Sequence, residues 1–362
     1  MSSSLRTSRR RGGEINGLAL PKGKKLTCEL CNKPAEVQCV SCRVTCYCSP
    51  LHQETDWVGI HSKICPLLGA LRTPPGFLGS EEERSARARE EEALKHELLA
   101  VTRREGHRLL YEGHHEVAMP AALHSLRFAI DLYGPDNIEL VPSYLLLGEA
   151  SIGLERFKQV EEYLSLARWA VLKSPDCPKT IRAQLYHNFG LLYAAQGKHQ
   201  DALEQLAKDV YYSALVYGPE HINTTGGYFQ LGNVFYAQKN DPAMLAMYEQ
   251  VTAIWRTYLT AAVNDPSFAA ANPLDVAKEA EAMQMLLRIA SVREEVLGSQ
   301  AVEYGELNFV IAMLFHLLGA LPKAQSFATT ALGIYHAQEK VDLQTVDEIE
   351  SLIGIIDDEL AR

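Results

Sequence analysis

The densest chemistry of the chain lies between Cys28 and Cys65, where seven of the eight cysteines are found. Two pairs within it have two residues between the cysteines, Cys28 with Cys31 and Cys39 with Cys42. This spacing lets a tight turn direct both thiolates at one ion, and Zn2+ prefers four nitrogen or sulfur ligands. A stretch this short cannot hold itself together by a hydrophobic core, so we expect metal to stabilise it.

Further candidate ligands follow the two pairs in a fixed order. The run reads Tyr47-Cys48-Ser49-x2-His52-Gln53-x2-Asp56-Trp57-x3-His61-x3-Cys65. Together with the preceding pairs, this pattern resembles a MYND zinc finger. The resemblance implies two structural Zn2+ ions with interleaved ligands. The first ion would be held by Cys28, Cys31, Cys48 and His52, and the second by Cys39, Cys42, His61 and Cys65.

One ligand departs from the MYND pattern, since the family usually has cysteine where this chain has His52. Because His52 follows Cys48 by four positions, we expect the two to share a helix face and to complete a Cys3His site. Cys46 fills a variable position of the family, so we expect a free thiol that points away from the ions. No disulfide framework is expected, because such frameworks belong to secreted chains and nothing here directs secretion.

The same resemblance implies a binding role for the finger. MYND fingers bind proline-containing peptides rather than nucleic-acid bases, and Gln53 and Trp57 match the positions that contact such peptides. The alternative for Trp57 is that its ring covers a zinc site.

Composition divides the chain into four parts. Residues 1–25 are polar and basic, which predicts a disordered arm. The finger is expected over residues 26–68, and a Pro-Pro-Gly run marks a linker over residues 69–79. Residues 80–362 then form a helical repeat domain, and Ser80 is its expected first N-cap.

The repeat domain is recognised by a spacing. A tyrosine followed four positions later by glycine recurs at equal intervals, at Tyr144, Tyr186 and Tyr228, which is a 42-residue period. Small residues farther along fit a helix, a turn and a second helix that pack closely. The pattern resembles tetratricopeptide (TPR) repeats in the longer form of kinesin light chains. The predicted fold class is mainly α, with a small two-zinc MYND finger followed by an α-helical TPR-like solenoid.

Some parts of the repeat domain need separate expectations. The regular spacing fails after Leu259, and residues 260–274 are expected to form an irregular insert. Trp169 and Trp255 lie late in second helices and are expected to pack between repeats. Histidines outside the finger have no cysteine or carboxylate at ligand spacing, so we expect them on the surface.

Charge and hydropathy limit the partners. Residues 1–70 contain 10 Lys and Arg against 5 Asp and Glu, whereas the whole chain contains 35 and 45. The acidic remainder would repel phosphate, so nucleic acid is not expected as a partner. Because no apolar run reaches the length of a membrane span and no signal-peptide core is present, we expect an intracellular, cytoplasmic protein without membrane contact.

The sequence favours binding over catalysis. No catalytic residues are predicted, because no Ser/His/Asp signature, phosphate loop or paired carboxylates stand out. SET-type lysine methyltransferases also contain a MYND finger and a TPR-like tail, but the short segment before Cys28 leaves no room for a β-rich SET fold. We expect a protein-interaction adaptor whose finger and TPR groove each bind a protein.

The resemblance also bears on location. MYND and TPR modules recur among factors for cilia and axonemal dynein. This favours an adaptor in a ciliary or flagellar axonemal complex, with another TPR protein as partner. The alternative is a nuclear MYND-type corepressor adaptor.

Overall fold

The computed structural model of the chain describes residues 12–15, 25–72, 79–338 and 342–361. Three short strands and a broken helix form the finger, and helical hairpins follow. The strands are β1 (Gly12–Glu14), β2 (Val37–Cys39) and β3 (Cys46–Tyr47). The helices are α1 (Pro50–Asp56), α2 (Ser62–Arg72), α3 (Glu81–Tyr111), α4 (His115–Tyr133), α5 (Val141–Gly153), α6 (Phe157–Lys173), α7 (Lys179–Ala195), α8 (His199–Tyr217), α9 (Thr225–Ala237), α10 (Asp241–Asn264), α11 (Pro266–Ala271), α12 (Val276–Leu297), α13 (Val302–Leu317), α14 (Leu321–His336) and α15 (Leu343–Leu360).

The sheet of the finger corrects the prediction of a disordered arm over residues 1–25. Within that range, residues 12–14 form β1 and pair antiparallel with β2, in the strand order β1-β2-β3. Without β1, the backbone N–H and C=O groups on this edge of β2 would have no partner in the sheet. A strand pairs with them through its own backbone groups, so the side-chain pattern of the sequence does not reveal it. Residues 1–11 and 16–24 of the predicted arm lie outside the described residues.

The predicted linker over residues 69–79 begins later than expected. Helices α1 and α2 are joined by a π-helical turn at Trp57–His61, and α2 continues to Arg72 because Ile64, Cys65 and Leu68 bury one of its faces. Residues 73–78 lie outside the described residues. Ser80 then opens α3 as predicted, in a capping box with Glu83.

The finger and the first helical hairpin share one hydrophobic core. The finger contributes zinc-type ligands and apolar side chains, namely Cys39, Cys42, Ile60, Ile64, Cys65 and Leu68. The helices contribute Leu98 and Leu99 from α3 and Ala121, Phe128 and Ala129 from α4, and Leu140 adds to them just before α5. Two ion pairs add to this core, between Lys63 and Glu105 and between Arg127 and Glu29. The finger therefore rests on the helices as part of one folded unit.

The period of the sequence is visible in the backbone of the turns. Left-handed residues occur inside the turns that join the two helices of each of the first four hairpins, at Gly113, Glu155, Gly197 and Lys239, with φ values of 79°, 56°, 72° and 58°. The successive positions are separated by the same interval as Tyr144, Tyr186 and Tyr228. Each of these hairpins therefore turns in the same way, although glycine occupies only alternate positions.

The chain forms two compact units, with the boundary between Asn188 and Phe189 inside α7. In the second unit, the largest core extends from α9 to α15 and includes the fully buried Trp255. The predicted irregular insert over residues 260–274 is wrong for most of its length. Helix α10 continues to Asn264, since Leu259 and Ala262 still face the core, and Asp265 caps the short helix α11.

The two tryptophans of the repeats differ. Trp255 packs in the core as predicted, but the prediction for Trp169 is wrong, because 60% of its surface is exposed. Helix α6 buries Val160, Leu164, Ala167 and Val171, which puts Trp169 on the opposite side of the helix.

The predicted fold class is confirmed. The described residues are mainly helical, and the only strands among them are the three in the finger, so they contain no β-rich SET fold. No helix in these parts of the chain combines the length and the apolar character needed to cross a membrane.

Candidate metal centre and peptide surface

The first cluster brings together Cys28, Cys31, Cys48 and His52. His52 presents Nδ1 at 3.3 Å from Cys28 Sγ and 3.4 Å from Cys48 Sγ, and Cys31 Sγ lies 3.6 Å from Cys48 Sγ. The expectation that Cys48 and His52 share a helix face is wrong. Cys48 precedes the helix, because the Ser49 hydroxyl accepts from His52 N and Pro50 begins α1.

The second cluster brings together Cys39, Cys42, His61 and Cys65, all of them buried. Cys39 Sγ lies 3.9 Å from Cys65 Sγ, and Cys42 Sγ lies 3.7 Å from His61 Nε2. His61 ends the π-helical turn and Cys65 follows in the first turn of α2, so one helical segment supplies both.

The two Cys-x2-Cys pairs are built alike. In each pair, the residue after the second cysteine is left-handed, with φ of 57° at Asn32 and 53° at Arg43. Its backbone N–H donates to the carbonyl of the first cysteine, over 3.0 Å in both turns. The resulting tight turn points the two thiols of each pair in one direction.

These donor sets fit Zn2+. A tetrahedral site with Zn–S of about 2.3 Å and Zn–N of about 2.0 Å has S···S edges of about 3.8 Å and S···N edges of about 3.5 Å. The donor distances given above range from 3.3 to 3.9 Å, and all donor atoms of a set lie within 4.8 Å of one another. Each set offers three thiolates and one imidazole, the donors of closed structural sites. The chain thus has the donor sets of two structural Zn2+ ions.

Cys46 belongs to neither cluster. Its thiol donates to the Val44 carbonyl over 3.8 Å, and burial raises the pKa of this thiol to about 11. By contrast, a hydrogen bond from Cys42 lowers the pKa of Cys39 to about 7. The same hydrogen bond raises the pKa of Cys42, and burial raises the pKa of Cys65, so those two thiols would be deprotonated by the binding of Zn2+ itself.

A buried carboxylate stands behind the second cluster. Asp56 accepts a hydrogen bond from the Tyr47 hydroxyl over 2.6 Å and one from His124 Nε2 over 3.0 Å. The Nδ1 atom of His61 lies 3.8 Å from the same carboxylate. This distance is too long for a hydrogen bond, so the carboxylate acts on His61 through its charge alone.

Asp56 and His124 form a buried ion pair. Burial alone would raise the pKa of Asp56, but the charge and hydrogen bond of His124 and the hydrogen bond from Tyr47 hold it below its usual range. Burial alone would lower the pKa of His124, and the charge of Asp56 and its hydrogen bond raise it above the ordinary value. Each side chain therefore favours the charged form of the other.

His124 is a functional residue that the sequence analysis missed, because it placed histidines outside the finger on the surface. This histidine lies in α4, 68 residues from Asp56, and is 2% exposed. A signal existed. His124 and Ser125 interrupt the run of buried alanines along α4, and a polar residue on an apolar helix face needs a partner.

The two predicted peptide-contacting residues lie in different surroundings. Gln53 is buried, with 3% of its surface exposed, and β1 passes directly over it. Trp57 is half-buried, packs against the shared core, and holds its ring 5.6 Å from the ring of His61. Trp57 thus covers the second cluster while part of its ring faces solvent.

Comparison with known proteins agrees with both modules. A family model described as MYND finger matches residues 28–65, and one described as Tetratricopeptide repeat matches residues 181–257. The chain contains a MYND finger followed by tetratricopeptide repeats. A solved structure from Podosopora anserina, described as a kinesin light chain with nearly identical TPR-like repeats, is also similar. It shares 19% identity, covers 55% of this chain and 97% of its own length, and has a TM-score of 0.30.

Proposed function

We propose that the chain is a protein-interaction adaptor in which the MYND finger and the tetratricopeptide repeats each bind a partner protein. The observation that supports this most is the shared core of the finger and the first hairpin. Together with the buried pair of Asp56 and His124, this core holds the finger in a fixed position on the helices. A finger fixed in this way presents a bound partner at a defined place on the first hairpin, which suits an adaptor.

The finger is proposed to bind a proline-containing peptide through Gln53 and Trp57. The part of the Trp57 ring that faces solvent offers an apolar plane, and proline-containing segments dock on aromatic surfaces at low entropic cost. Gln53 would hydrogen-bond the peptide backbone.

The test for the finger is a titration of labelled proline-containing peptides against the full chain and its Trp57→Ala variant, both with two zinc ions per chain. We expect binding to weaken by roughly tenfold or more in the variant, in line with the loss of one aromatic anchor. Trp169→Ala is the matched control, since it removes an exposed tryptophan far along the sequence. Equal affinity of Trp57→Ala and the unmodified chain would assign Trp57 to the core alone.

The repeats are proposed to bind an extended or helical segment through the groove that first helices line in tetratricopeptide domains. Two further surfaces, one in each compact unit, are favoured by exposed apolar side chains on second helices. In the first unit helix α6 exposes Leu166, Trp169 and Leu172, and in the second unit helix α8 exposes Tyr211, Leu215, Val216 and Tyr217. Exposed apolar faces of this kind mark interaction sites. Loss of partner binding in Trp169→Ala, with binding kept in Gln230→Ala on the first helix α9, would favour the surface on α6.

The cellular setting is part of the proposal. We further propose that the chain is a relative of the protein called zinc finger MYND domain-containing protein 12, and that it has a cytoplasmic role in a ciliary or flagellar axonemal complex, with another TPR protein as partner. Proximity labelling by the chain in ciliated cells tests this. Axonemal proteins among the labelled neighbours would support it, and nuclear corepressors would support the alternative.

The proposed adaptor acts without catalysis. Outside the two zinc clusters, the described residues bring no further group of metal-binding side chains together. Methyl transfer from S-adenosylmethionine to a protein by the purified chain would contradict this part of the proposal.

A further inference from the structure

The sheet of the finger has an edge on β2 at which one extra strand pairs. Strand β3 pairs with one edge of β2, and β1 pairs with the other. In this second pairing, Gly12 lies opposite Cys39, Gly13 opposite Gln38 and Glu14 opposite Val37. The pairing extends one residue farther, since Ile15 N donates to the Glu36 carbonyl over 3.0 Å.

The space beside this edge admits only glycine at position 12 of β1. A Cβ atom on Gly12 would lie 2.5 Å from Gln53 Oε1 and 2.5 Å from Val37 Cγ1. The Gln53 amide can move, but the branched Val37 side chain is stiff, so a larger residue at this position would push the strand off. At the next position a Cβ atom would meet Val40 at 3.3 Å, which a small shift relieves.

The strand also covers Gln53. Only 3% of the Gln53 surface is exposed, and Gly12 is the residue in contact with its amide oxygen. A peptide that reaches Gln53 must therefore occupy the place that β1 fills. Edges of sheets bind extended peptides by main-chain hydrogen bonds, and the side-chain seats beside the edge select the sequence.

We propose that residues 12–14 of the chain block the peptide site of the finger in cis, because they occupy the edge of β2 above Gln53 that an extended partner segment with a glycine over Gln53 would need. This inference rests on the proposed peptide binding by the finger. The occupant is short and tethered, so its local concentration is in the millimolar range and a partner must displace it. The apparent affinity for the partner equals its affinity for the open edge multiplied by the fraction of chains in which the edge is open.

The experiment compares the full chain with Gly12→Val, which keeps the strand off this edge. Glu14→Val is the matched control, because it adds the same side chain at an exposed position of β1. Gly13→Pro is a second disrupting variant, since it removes a backbone donor from the strand. Each protein is first shown to hold two zinc ions. Amide hydrogen exchange at Gln38, which lies opposite Gly13 of β1, should then be at least about tenfold faster in the two disrupting variants than in the control.

The direct probe is a synthetic peptide of residues 9–18, titrated at millimolar concentration and followed by the indole N–H signal of Trp57 in NMR spectra. We expect the peptide to bind Gly12→Val and Gly13→Pro at least about tenfold more tightly than the unmodified chain or Glu14→Val. Unchanged exchange in the disrupting variants, or equal binding of the peptide by all four proteins, would overturn the proposal. So would an absence of binding to the opened edge.

A proline-containing peptide separates this inference from the proposed function. Tighter binding of that peptide to Gly12→Val than to the unmodified chain supports both. Equal binding to the two chains keeps the proposed function and overturns occupation in cis. If neither chain binds it while Gly12→Val binds the peptide of residues 9–18, the proposed function fails and the docking edge is supported.

Discussion

The finger and the helical repeats reach an ordered structure by different means. In the finger, strands of two or three residues and a short helix place eight zinc-type ligands, and three of the twelve buried side chains in its shared core are cysteines. The second unit buries a continuous apolar cluster that extends from α9 to α15. The local structure of the finger thus follows from ligand geometry, whereas that of the repeats follows from small residues at a fixed period.

The two regions are nevertheless coupled. The zinc-type ligands Cys39, Cys42 and Cys65 pack in the same core as the helices α3 and α4, and Asp56 of the finger pairs with His124 of α4. The backbone of Gly59 also approaches α4 so closely that a Cβ atom there would lie 2.6 Å from the Val117 carbonyl oxygen. Each region thus has its own source of local structure, and the shared core and the pair of Asp56 and His124 hold the two together.

Removal of a zinc ligand should have the largest effect. Cys48→Ala or His52→Ala takes one donor from the first cluster, and structural zinc contributes roughly 10–16 kcal/mol to small zinc modules. We expect the finger to unfold in both variants and metal analysis to find fewer than two zinc ions per chain. Cys46→Ser is the control, because this thiol touches neither cluster. Zinc lost from Cys46→Ser would show that the ligand sets are wrong.

Removal of His124 should have the next largest effect. His124→Ala leaves the fully buried Asp56 with the Tyr47 hydroxyl as its remaining hydrogen-bond donor, and breaking such a buried ion pair costs about 3–5 kcal/mol. Chemical denaturation should show this loss, and a chelator should remove zinc faster, because Asp56 also faces His61. His114→Ala, at the exposed start of α4, should stay within about 0.5 kcal/mol of the unmodified chain. Equal stability of the two variants would mean that the pair does not couple the regions.

A smaller effect on stability is expected inside the repeats, where close packing of the helices determines the free energy of unfolding. A Cβ atom on Gly190 would lie 2.6 Å from Leu206 Cγ, so Gly190→Ala should cost about 1–3 kcal/mol, and a bulkier residue should cost more. Gly333→Ala is the matched helical control, because its Cβ atom would meet nothing within 4 Å. That change should stabilise the chain by up to about 1 kcal/mol. Thermal unfolding monitored by circular dichroism measures both, and a change of the same sign in both would contradict close packing at Gly190.

The sequence predicted local features well. The two Cys-x2-Cys turns and the TPR-like hairpins follow from regular spacings, whereas the division of the ligands into two sets came from the resemblance to MYND fingers. The pair of Asp56 and His124 could not be predicted in this way, because 68 residues separate the partners and only the packed structure brings them together. Strand β1 was missed for another reason. Its pairing uses backbone groups, and the two glycines that it needs look like a flexible arm in the sequence.

The exposure of Trp169 was also beyond the repeat pattern. Its position late in a second helix suits packing, and only the rotation of α6 about its axis decides which side faces the core. Trp255, at a similar place in α10, faces inward and is fully buried. A spacing argument alone does not separate these two cases.

The most direct test of the account is hydrogen exchange of the full chain before and after chelation of zinc. The account predicts that amide exchange over residues 25–72 rises to that of unfolded chain, that the faces of α3 and α4 in the shared core lose part of their protection, and that α9 to α14 keep theirs. Unchanged protection in the finger after metal loss, or loss of protection throughout the helices, would contradict the claim that metal holds one region and apolar packing the other.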